Sequence, residues 1–310
     1  MSTALTPTRT QNVFEFNREE FREKFPHQGF LTPHNLCNHP LLELPRLEKL
    51  ARTLPEDKVE YHSGKVGFSQ PKKTYPGNGL SIVDTIRKIE ETTSWMVLRQ
   101  CERDPEYAEL LRNVLGEVYT QFDGLPRKPW MEDVHREHAF IFISSPNTIT
   151  PCHVDDEHSF LMQVRGSKTI AQWDWRDRSI MTEPQAEDML EFWHDDSYDC
   201  YLPYKDEFLP GAKQFHLTAG NALHFPFGAP HWVKNGPQVS ISFSITFRTL
   251  MSERHAIVYH LNKRMRSMGL QPTPPEQSPW RDTVKFNAFL AARRAARLVK
   301  GSAKGGSRWA

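Results

Sequence analysis

Between residues 138 and 250 the sequence breaks into short apolar runs that do not follow a helical period. Gly, Pro, Asn and Asp separate the runs, which read AFIFISS, NTITPCHV, SFLMQVRG, SKTIAQWDW, QFHLTAG, NALHFPF, HWVKNG and VSISFSITFRT. Runs of this length, with turn residues between them, are typical of strands in an antiparallel sandwich or a small barrel. The region therefore predicts a mainly β core, and the rest of the chain has to be arranged around it.

The sequence on either side of this core has a different character, with apolar residues at helical spacing. Amphipathic stretches include HPLLELPRLEKLARTL and EYAELLRNVLGEVYTQF, and between them WMVL predicts one short strand. We expect five regions: a disordered N-terminus (1–12), a mostly helical region (13–137), the β core (138–250) with an acidic insertion (174–214), C-terminal helices (251–298) and a flexible basic tail (299–310). Gly124 is expected to end the helix that precedes the core.

Composition limits the class of protein. The 310 residues carry a net charge of +1 and are 38% hydrophobic, which is typical of a globular chain long enough to bury a large core. The four cysteines are far apart and form no CxxC pair, which favours a reduced protein. No apolar run resembles a secretory signal or a membrane span, so we expect a cytoplasmic protein without a membrane partner.

Charge is unevenly distributed along the chain. Residues 251–310 hold twelve Lys or Arg and three acids, whereas residues 174–207 hold eleven acids and three Lys or Arg. An acidic insertion near a binding site would favour a basic peptide or a small cationic metabolite. Two alternatives stay open: a solvated loop, or a patch that docks the basic C-terminus of the same or another subunit. A nucleic-acid partner is not expected, because a single basic helix without interleaved aromatic residues is weak support for one.

The stretch TPCHVDDEH contains a candidate metal site. His153 and Asp155 are two residues apart at the end of a predicted strand, so their side chains project from the same face. His231, 78 residues after His153, precedes another predicted strand and can supply a third ligand. Two imidazoles and one carboxylate are the ligand set of non-heme Fe(II) oxygenases. An isolated HxD pair occurs by chance in many chains, but the downstream histidine favours a metal site.

Lys168 adds to this pattern. It begins a predicted strand 13 residues after Asp155, and a cation there can reach into the barrel to hold a distal carboxylate. The alternative is a solvated lysine at a strand end. Agreement between its position and the HxD pair favours the first interpretation.

The motif TPCHVDDEHSFLMQVRGSK resembles the pattern TPxHxD(x)nFxxQxxGxK of the Jumonji-C, cupin-like family of Fe(II)- and 2-oxoglutarate-dependent oxygenases. The asparaginyl-hydroxylase-like and bacterial members are the most similar. The resemblance covers roughly residues 138–250. It implies a double-stranded β-helix, the cupin-like jelly roll, with flanking helices.

Carried over by position, the resemblance assigns six site residues. It implies that His153, Asp155 and His231 bind the iron, that Lys168 and Thr150 bind the C5 carboxylate of 2-oxoglutarate, and that Ser244 lies near its C1 carboxylate. The last assignment depends on the alignment of VSISFSITF, where four hydroxyl side chains alternate along one face (Ser240, Ser242, Ser244 and Thr246), so the member involved stays open.

Nearby polar residues have simpler interpretations. We expect Asp156, Glu157 and His158 to face solvent or substrate rather than to bind metal. His224 is interpreted either as a core histidine or as a partner of a ligand. Cys152 falls on the opposite face of its strand from His153, which predicts a role in packing.

The resemblance implies an enzyme that oxidises 2-oxoglutarate to succinate and CO₂ while it hydroxylates an unactivated C–H bond. The substrate would be a polypeptide side chain or a small molecule. One alternative is a non-catalytic, cupin-like protein that binds a ligand or regulates transcription. Another is an N-methyl demethylase, although the sequence has no chromatin-reading module. The C-terminal helices resemble those that dimerise related hydroxylases, and Ala288, Ala291 and Ala295 would allow the close packing of a homodimer.

Overall fold

Two antiparallel sheets form the centre of the protein. The computed structural model describes residues 12–123, 134–191 and 200–300, without the side chains of 297–300, and within them one sheet has seven strands and the other four. In chain order the strands are β1 (Leu31–Pro33), β2 (Val59–Ser63), β3 (Ser94–Leu98), β4 (His135–Ser144), β5 (Ile149–His153), β6 (His158–Arg165), β7 (Ser167–Gln172), β8 (Lys213–Thr218), β9 (Asn221–Phe225), β10 (His231–Asn235) and β11 (Ser240–Arg248).

The order of the strands identifies the fold. The larger sheet runs β1-β9-β6-β11-β4-β3-β2 and the smaller one β5-β10-β7-β8. The strands from β4 to β11 thus pass repeatedly from one sheet to the other and pair antiparallel throughout. Eight strands in two sheets with this connectivity form a jelly roll, the double-stranded β-helix. The predicted fold class is therefore confirmed.

The N-terminal region extends the larger sheet at both edges. β3 is the strand predicted from WMVL; it pairs with β4, and β2 pairs with β3 in turn. At the other edge β1 pairs with β9, and this three-residue strand was not predicted. Four helices accompany these strands: α1 (Arg18–Lys24), α2 (Leu44–Thr53), α3 (Ile82–Arg87) and α4 (Pro105–Gln121).

Helix α4 shows why this region folds against the sheet. The Asp104 carboxylate accepts a hydrogen bond from the Glu106 N–H at 3.0 Å, and Pro105 occupies the first turn, where no N–H is needed. Its apolar residues recur at helical spacing and are buried in the core beneath the larger sheet: Tyr107, Leu110, Leu111, Val114, Leu115 and Val118. The helix ends at Gln121, and Gly124 lies outside the described residues.

Three further helices lie in the second half of the chain: α5 (Glu183–Met189), α6 (Leu250–Ser267) and α7 (Pro279–Lys300). The Thr249 hydroxyl caps α6 by accepting from the Ser252 N–H at 3.2 Å. On α7, Ala288, Ala291 and Ala295 are exposed. No helix of the described chain combines the length and the hydropathy that crossing a lipid bilayer requires.

Acids of the insertion pair with the basic helix α6 of the same chain. Arg266 makes two hydrogen bonds to the Glu187 carboxylate, at 2.7 and 2.8 Å. Lys263 contacts Asp188 at 2.7 Å and Glu191 at 2.8 Å. These contacts favour the interpretation that the acidic insertion docks the basic C-terminal region. Residues 192–199, which include three further acids, lie outside the described part of the insertion.

Candidate metal centre

Two histidines and one aspartate meet where β5 and β10 pair. His153 and His231 are register partners, and their ring centroids are 4.2 Å apart. Asp155 lies beside both, with its carboxylate oxygens 3.8 Å from Nε2 of His153 and 3.7 Å from Nε2 of His231. One ligand atom from each residue lies within 4.8 Å of the other two. Within the described residues, no other set of His, Cys, Asp and Glu is arranged this way.

Backbone carbonyls orient both imidazoles. Nδ1 of His153 lies 2.8 Å from the Pro151 carbonyl oxygen, and Nδ1 of His231 lies 2.9 Å from that of Ala229. A carbonyl can only accept, so each Nδ1 carries the proton and each Nε2 presents a lone pair to the centre. Burial lowers the pKa of His231 to about 4, which keeps this imidazole neutral near pH 7. The three donors therefore fit a divalent transition metal.

A cavity of about 570 Å³ opens beside these ligands. All six residues named from the sequence line it: His153, Asp155, His231, Thr150, Lys168 and Ser244. They come from β5 and the turn after it, from β7, β10 and β11, so both sheets contribute. The structure thus brings together side chains that the sequence separates by up to 94 positions.

Lys168 lies inside this cavity rather than in solvent. The residue is 4% exposed, so the alternative of a solvated lysine at a strand end is wrong. Its ammonium donates a hydrogen bond to the Ser242 hydroxyl at 2.8 Å, and Ser242 donates in turn to Oε1 of Gln163 at 2.7 Å. Burial lowers the pKa of Lys168 to about 7. A positive charge is therefore costly here unless an anion accompanies it.

Polar residues of β10 and β11 also define the cavity. Ser244 and Thr246 both line it, while Ser242 contacts Lys168, so the hydroxyl stripe of β11 spans the site. Asn235 is the register partner of Lys168 and also lines the cavity. Its Oδ1 is buried and finds no hydrogen-bond partner among the described residues. Sequence reasoning missed Asn235, although its spacing of four from His231 on one strand places both on the same face.

The acidic residues after Asp155 differ from each other. Asp156 forms an ion pair with Arg248, which is 1% exposed. Glu157 lines the cavity, and burial raises its pKa to about 7. The expectation that His158 faces solvent or substrate is wrong, because this residue is 1% exposed. His158 begins β6 on the face that packs against Phe25 and Phe247, away from the cavity.

His224 and Cys152 belong to the hydrophobic core. Nδ1 of His224 lies 2.9 Å from the Gln28 carbonyl oxygen, and its ring contacts Phe30 and Phe160. This places His224 in the core, as the first of its two interpretations predicted. Cys152 is fully buried in an apolar cluster with Val154 and Trp232, in agreement with a packing role.

The part of the cavity lined by β2 and β3 carries charges that neutralise one another. Arg99, Lys72 and His62 contact the Glu60 carboxylate at 2.7, 2.8 and 3.1 Å. Burial alone would raise the pKa of Glu60, but these partners lower it to about 2. Trp95 adds an aromatic wall and stacks on His62 with ring centroids 6.1 Å apart. This part of the cavity therefore offers a second ligand a surface of aromatic and charged groups whose charges largely cancel.

Comparison with solved structures supports the fold. The sequence matches no protein-family model and no curated protein. A crystal structure of Escherichia coli YcfD is similar, with a TM-score of 0.50 and 16% identity over 90% of this chain and 68% of that chain. A second structure, titled as the ribosomal oxygenase YcfD in complex with cobalt and 2-oxoglutarate, has a TM-score of 0.45 and 14% identity over 91% and 68% of the two chains. The first likeness supports the jelly-roll fold.

Proposed function

We propose that this protein is an Fe(II)- and 2-oxoglutarate-dependent oxygenase. The observation that carries the proposal is one cavity that joins two features. At one end His153, Asp155 and His231 converge within 4.8 Å. At the other end the buried Lys168 presents an amine without a carboxylate partner among the described residues. A dicarboxylic acid that can also bind a metal, such as 2-oxoglutarate, matches both the metal ligands and the Lys168 amine at once.

Each residue has a definite task in this proposal. The metal supplies Lewis acidity and the redox chemistry with O₂, while the protein supplies orientation and a dry pocket. His153, Asp155 and His231 hold the metal on one side and leave the cavity side for ligands. Lys168 and Thr150 bind the distal carboxylate, and Ser244 or its neighbour Thr246 contacts the proximal one.

The substrate in this proposal is a polypeptide side chain or a small molecule that enters the cavity past Glu60. Glu60 and acids of the insertion are already paired within the chain. Neutral as well as basic peptides therefore belong in a substrate screen. YcfD is titled a ribosomal oxygenase, which makes ribosomal proteins the first polypeptides to test.

Anaerobic titration of the metal-free protein with Fe(II) and 2-oxoglutarate tests the proposal. A weak visible charge-transfer band that needs both components is expected, and Lys168→Ala should weaken it. His224→Phe is the matched control, because it changes a histidine outside the cavity and should leave the band intact. Succinate is then measured in air, with and without a candidate peptide.

The possible outcomes separate the alternatives. Binding of both components without succinate would favour a ligand-binding protein over an enzyme. Absence of binding in the folded wild type would overturn the proposal.

A further inference from the structure

Among the residues that the structure describes, none supplies a counter-charge to the amine of Lys168. Its hydrogen bond goes to the neutral hydroxyl of Ser242, at 2.8 Å. Burial is the single cause of the lowered pKa of Lys168, to about 7, with no contribution from a charged neighbour. A lysine in this condition is uncharged over part of the physiological pH range. A neutral amine is a poor receptor for a carboxylate, so Lys168 has to carry a proton when a carboxylate binds beside it.

The Ser242 hydroxyl is fixed as an acceptor for this amine. Gln163 donates through Nε2 to the Arg165 carbonyl at 2.6 Å and to the Ser240 hydroxyl at 2.9 Å, which sets the orientation of its amide. Its Oε1 then accepts the Ser242 proton at 2.7 Å. The remaining lone pairs of Ser242 face Lys168. Ser242, Gln163 and Ser240 are each at most 1% exposed, so water does not compete for these bonds.

The elements packed around Lys168 present neutral groups to it. On the neighbouring strands its register partners are Leu217 of β8 and Asn235 of β10. Across the barrel it meets Ser242 of β11, whose partners in the larger sheet are Gln163 of β6 and Phe142 of β4. From β5, Thr150 lines the same cavity.

The titratable groups of the cavity lie farther along these strands. His138 pairs with Thr246, four residues from Ser242, which is about 13 Å of strand. Glu157 interacts with the same Thr246 side chain. His231 is four residues from Asn235 on β10, again about 13 Å, and His153 and Asp155 lie beside it. The remaining charged or titratable side chains of the cavity are Glu60, His62, Lys72, Tyr75, Arg99, Arg136, Asp156, Cys152, Cys200 and Tyr201.

We propose that Ser242, oriented by Gln163, positions Lys168 so that a carboxylate ligand enters this end of the cavity together with one proton from solvent. The inference rests on the proposed function, which supplies the carboxylate. The amine and a solvent proton become an ammonium, and the entering carboxylate provides the counter-charge that the pocket lacks. The only bond formed is the N–H bond between the Lys168 amine and the solvent proton. Ser242 acts as a positioning residue, since it holds Lys168 rather than the ligand.

Calorimetric titration of the Mn(II)-loaded protein with 2-oxoglutarate tests this inference without turnover. The titration is run in two buffers of different ionisation enthalpy, because their difference in apparent binding enthalpy counts the protons exchanged. At about pH 8.5 most of one proton should be taken up for each ligand, and at about pH 5.5 almost none. Lys168→Arg keeps its charge at both pH values and should bind without proton uptake.

The Ser242 variants separate positioning from mere structure. In Ser242→Ala the ammonium loses its acceptor, so the midpoint of proton uptake should move to lower pH, and affinity should fall about 5- to 10-fold. Ser242→Thr keeps the hydroxyl and should restore the wild-type midpoint. If the role of Ser242 were purely structural, Ser242→Ala would reduce affinity and leave the pH midpoint of proton uptake unchanged. That result would overturn the inference.

Glu157→Gln removes a second candidate for the proton uptake, a cavity carboxylate that has no ion-pair partner among the described residues. Uptake that persists in Glu157→Gln and is absent in Lys168→Arg supports the assignment to Lys168. Uptake lost in Glu157→Gln overturns it. Wild-type binding without proton uptake at about pH 8.5 overturns the inference and leaves the oxygenase proposal standing. Failure of 2-oxoglutarate to bind at either pH overturns both.

Discussion

In the described part of the chain two pairs of histidines have their rings close together, and the surroundings of the two pairs differ. The rings of His153 and His231 are 4.2 Å apart, and both Nε2 atoms face the Asp155 carboxylate in a cavity. The rings of His158 and His224 are 5.8 Å apart and are packed among phenylalanines. In both pairs Nδ1 is engaged with the backbone, but in the second pair Nε2 is buried without a partner in the described chain.

The difference lies in access and charge rather than in the histidines themselves. A metal site needs free lone pairs, a carboxylate to balance charge, and a path for the ion. The cavity pair has all three. The core pair is enclosed by apolar rings and has no carboxylate beside it, so it contributes packing and a latent sensitivity to acid.

Asp155→Ala should have the largest effect on this comparison. Removing the shared carboxylate leaves two imidazoles, and Mn(II) affinity is expected to fall by well over about 100-fold. His224→Phe, which alters the core pair, should leave Mn(II) affinity unchanged. Calorimetry on both variants, after circular dichroism has established that each is folded, measures the contrast. Equal losses in the two variants would contradict the assignment of the metal to the cavity pair.

Phe160→Ala tests the packing that encloses the core pair. Phe160 is fully buried and contacts the His224 ring at 5.0 Å, so its truncation should lower the free energy of unfolding by roughly 3–5 kcal/mol. The adjacent residue Ser159 lines the cavity on the opposite face of β6, and Ser159→Ala should cost less than about 1 kcal/mol. Urea unfolding of both variants gives the comparison. Similar losses would mean that the two faces are packed alike.

Lys168→Met should increase stability while it removes ligand binding. The pKa of Lys168 is lowered to about 7 in the folded protein. Protonation of this lysine therefore favours the unfolded chain at every pH below the unfolded pKa of 10.5. The resulting loss of unfolding free energy in the wild type is greatest below about pH 7 and vanishes as the pH approaches 10.5. The gain in unfolding free energy near neutral pH should reach about 4 kcal/mol. Chemical unfolding at several pH values measures it, and a loss of stability at neutral pH would contradict the prediction.

His224→Phe should make the protein less sensitive to acid. Burial lowers the pKa of His224 to about 3 from 6.5, so protons favour the unfolded chain as the pH falls from 6.5 towards 3. Stability that is present above pH 6.5 is lost across that window, by about 2 kcal/mol for this residue at about pH 5. The variant should lose correspondingly less between about pH 7 and 5 in urea titrations. An unchanged pH dependence would show that His224 does not titrate on unfolding.

Short apolar runs, alternating or continuous and separated by turn residues, were sufficient to predict the eight strands of the jelly roll. Each of these strands has one face buried or both, and turn residues mark its ends, so local pattern and tertiary position agree. β1 could not be predicted in this way, because three residues that include a proline carry no period. Its place at the sheet edge depends on its pairing with β9, nearly two hundred residues later in the sequence.

Parts of the candidate site were equally readable. Four residues stand out in the sequence: His153, Asp155, His231 and Lys168. Histidine, aspartate and lysine seldom occur together at these spacings. Ser242 did not stand out from the other hydroxyls of β11, since its role depends on the register that sets it opposite Gln163. His158 was misread for a related reason: its face is decided by where β6 begins, and element boundaries are the least certain feature of a sequence pattern.

The register of β5 and β10 also bears on how the protein is made. His153 lies opposite His231 only after these two strands have paired, and His231 pairs at the same time with Gln172 of β7. During synthesis, a nascent chain that has not yet emerged as far as β10 holds the HxD half of the centre without the histidine that completes it. A ribosome-bound chain is therefore unable to assemble the three-ligand centre early. Under the proposed function, metal loading would then be a late event, coupled to closure of the smaller sheet.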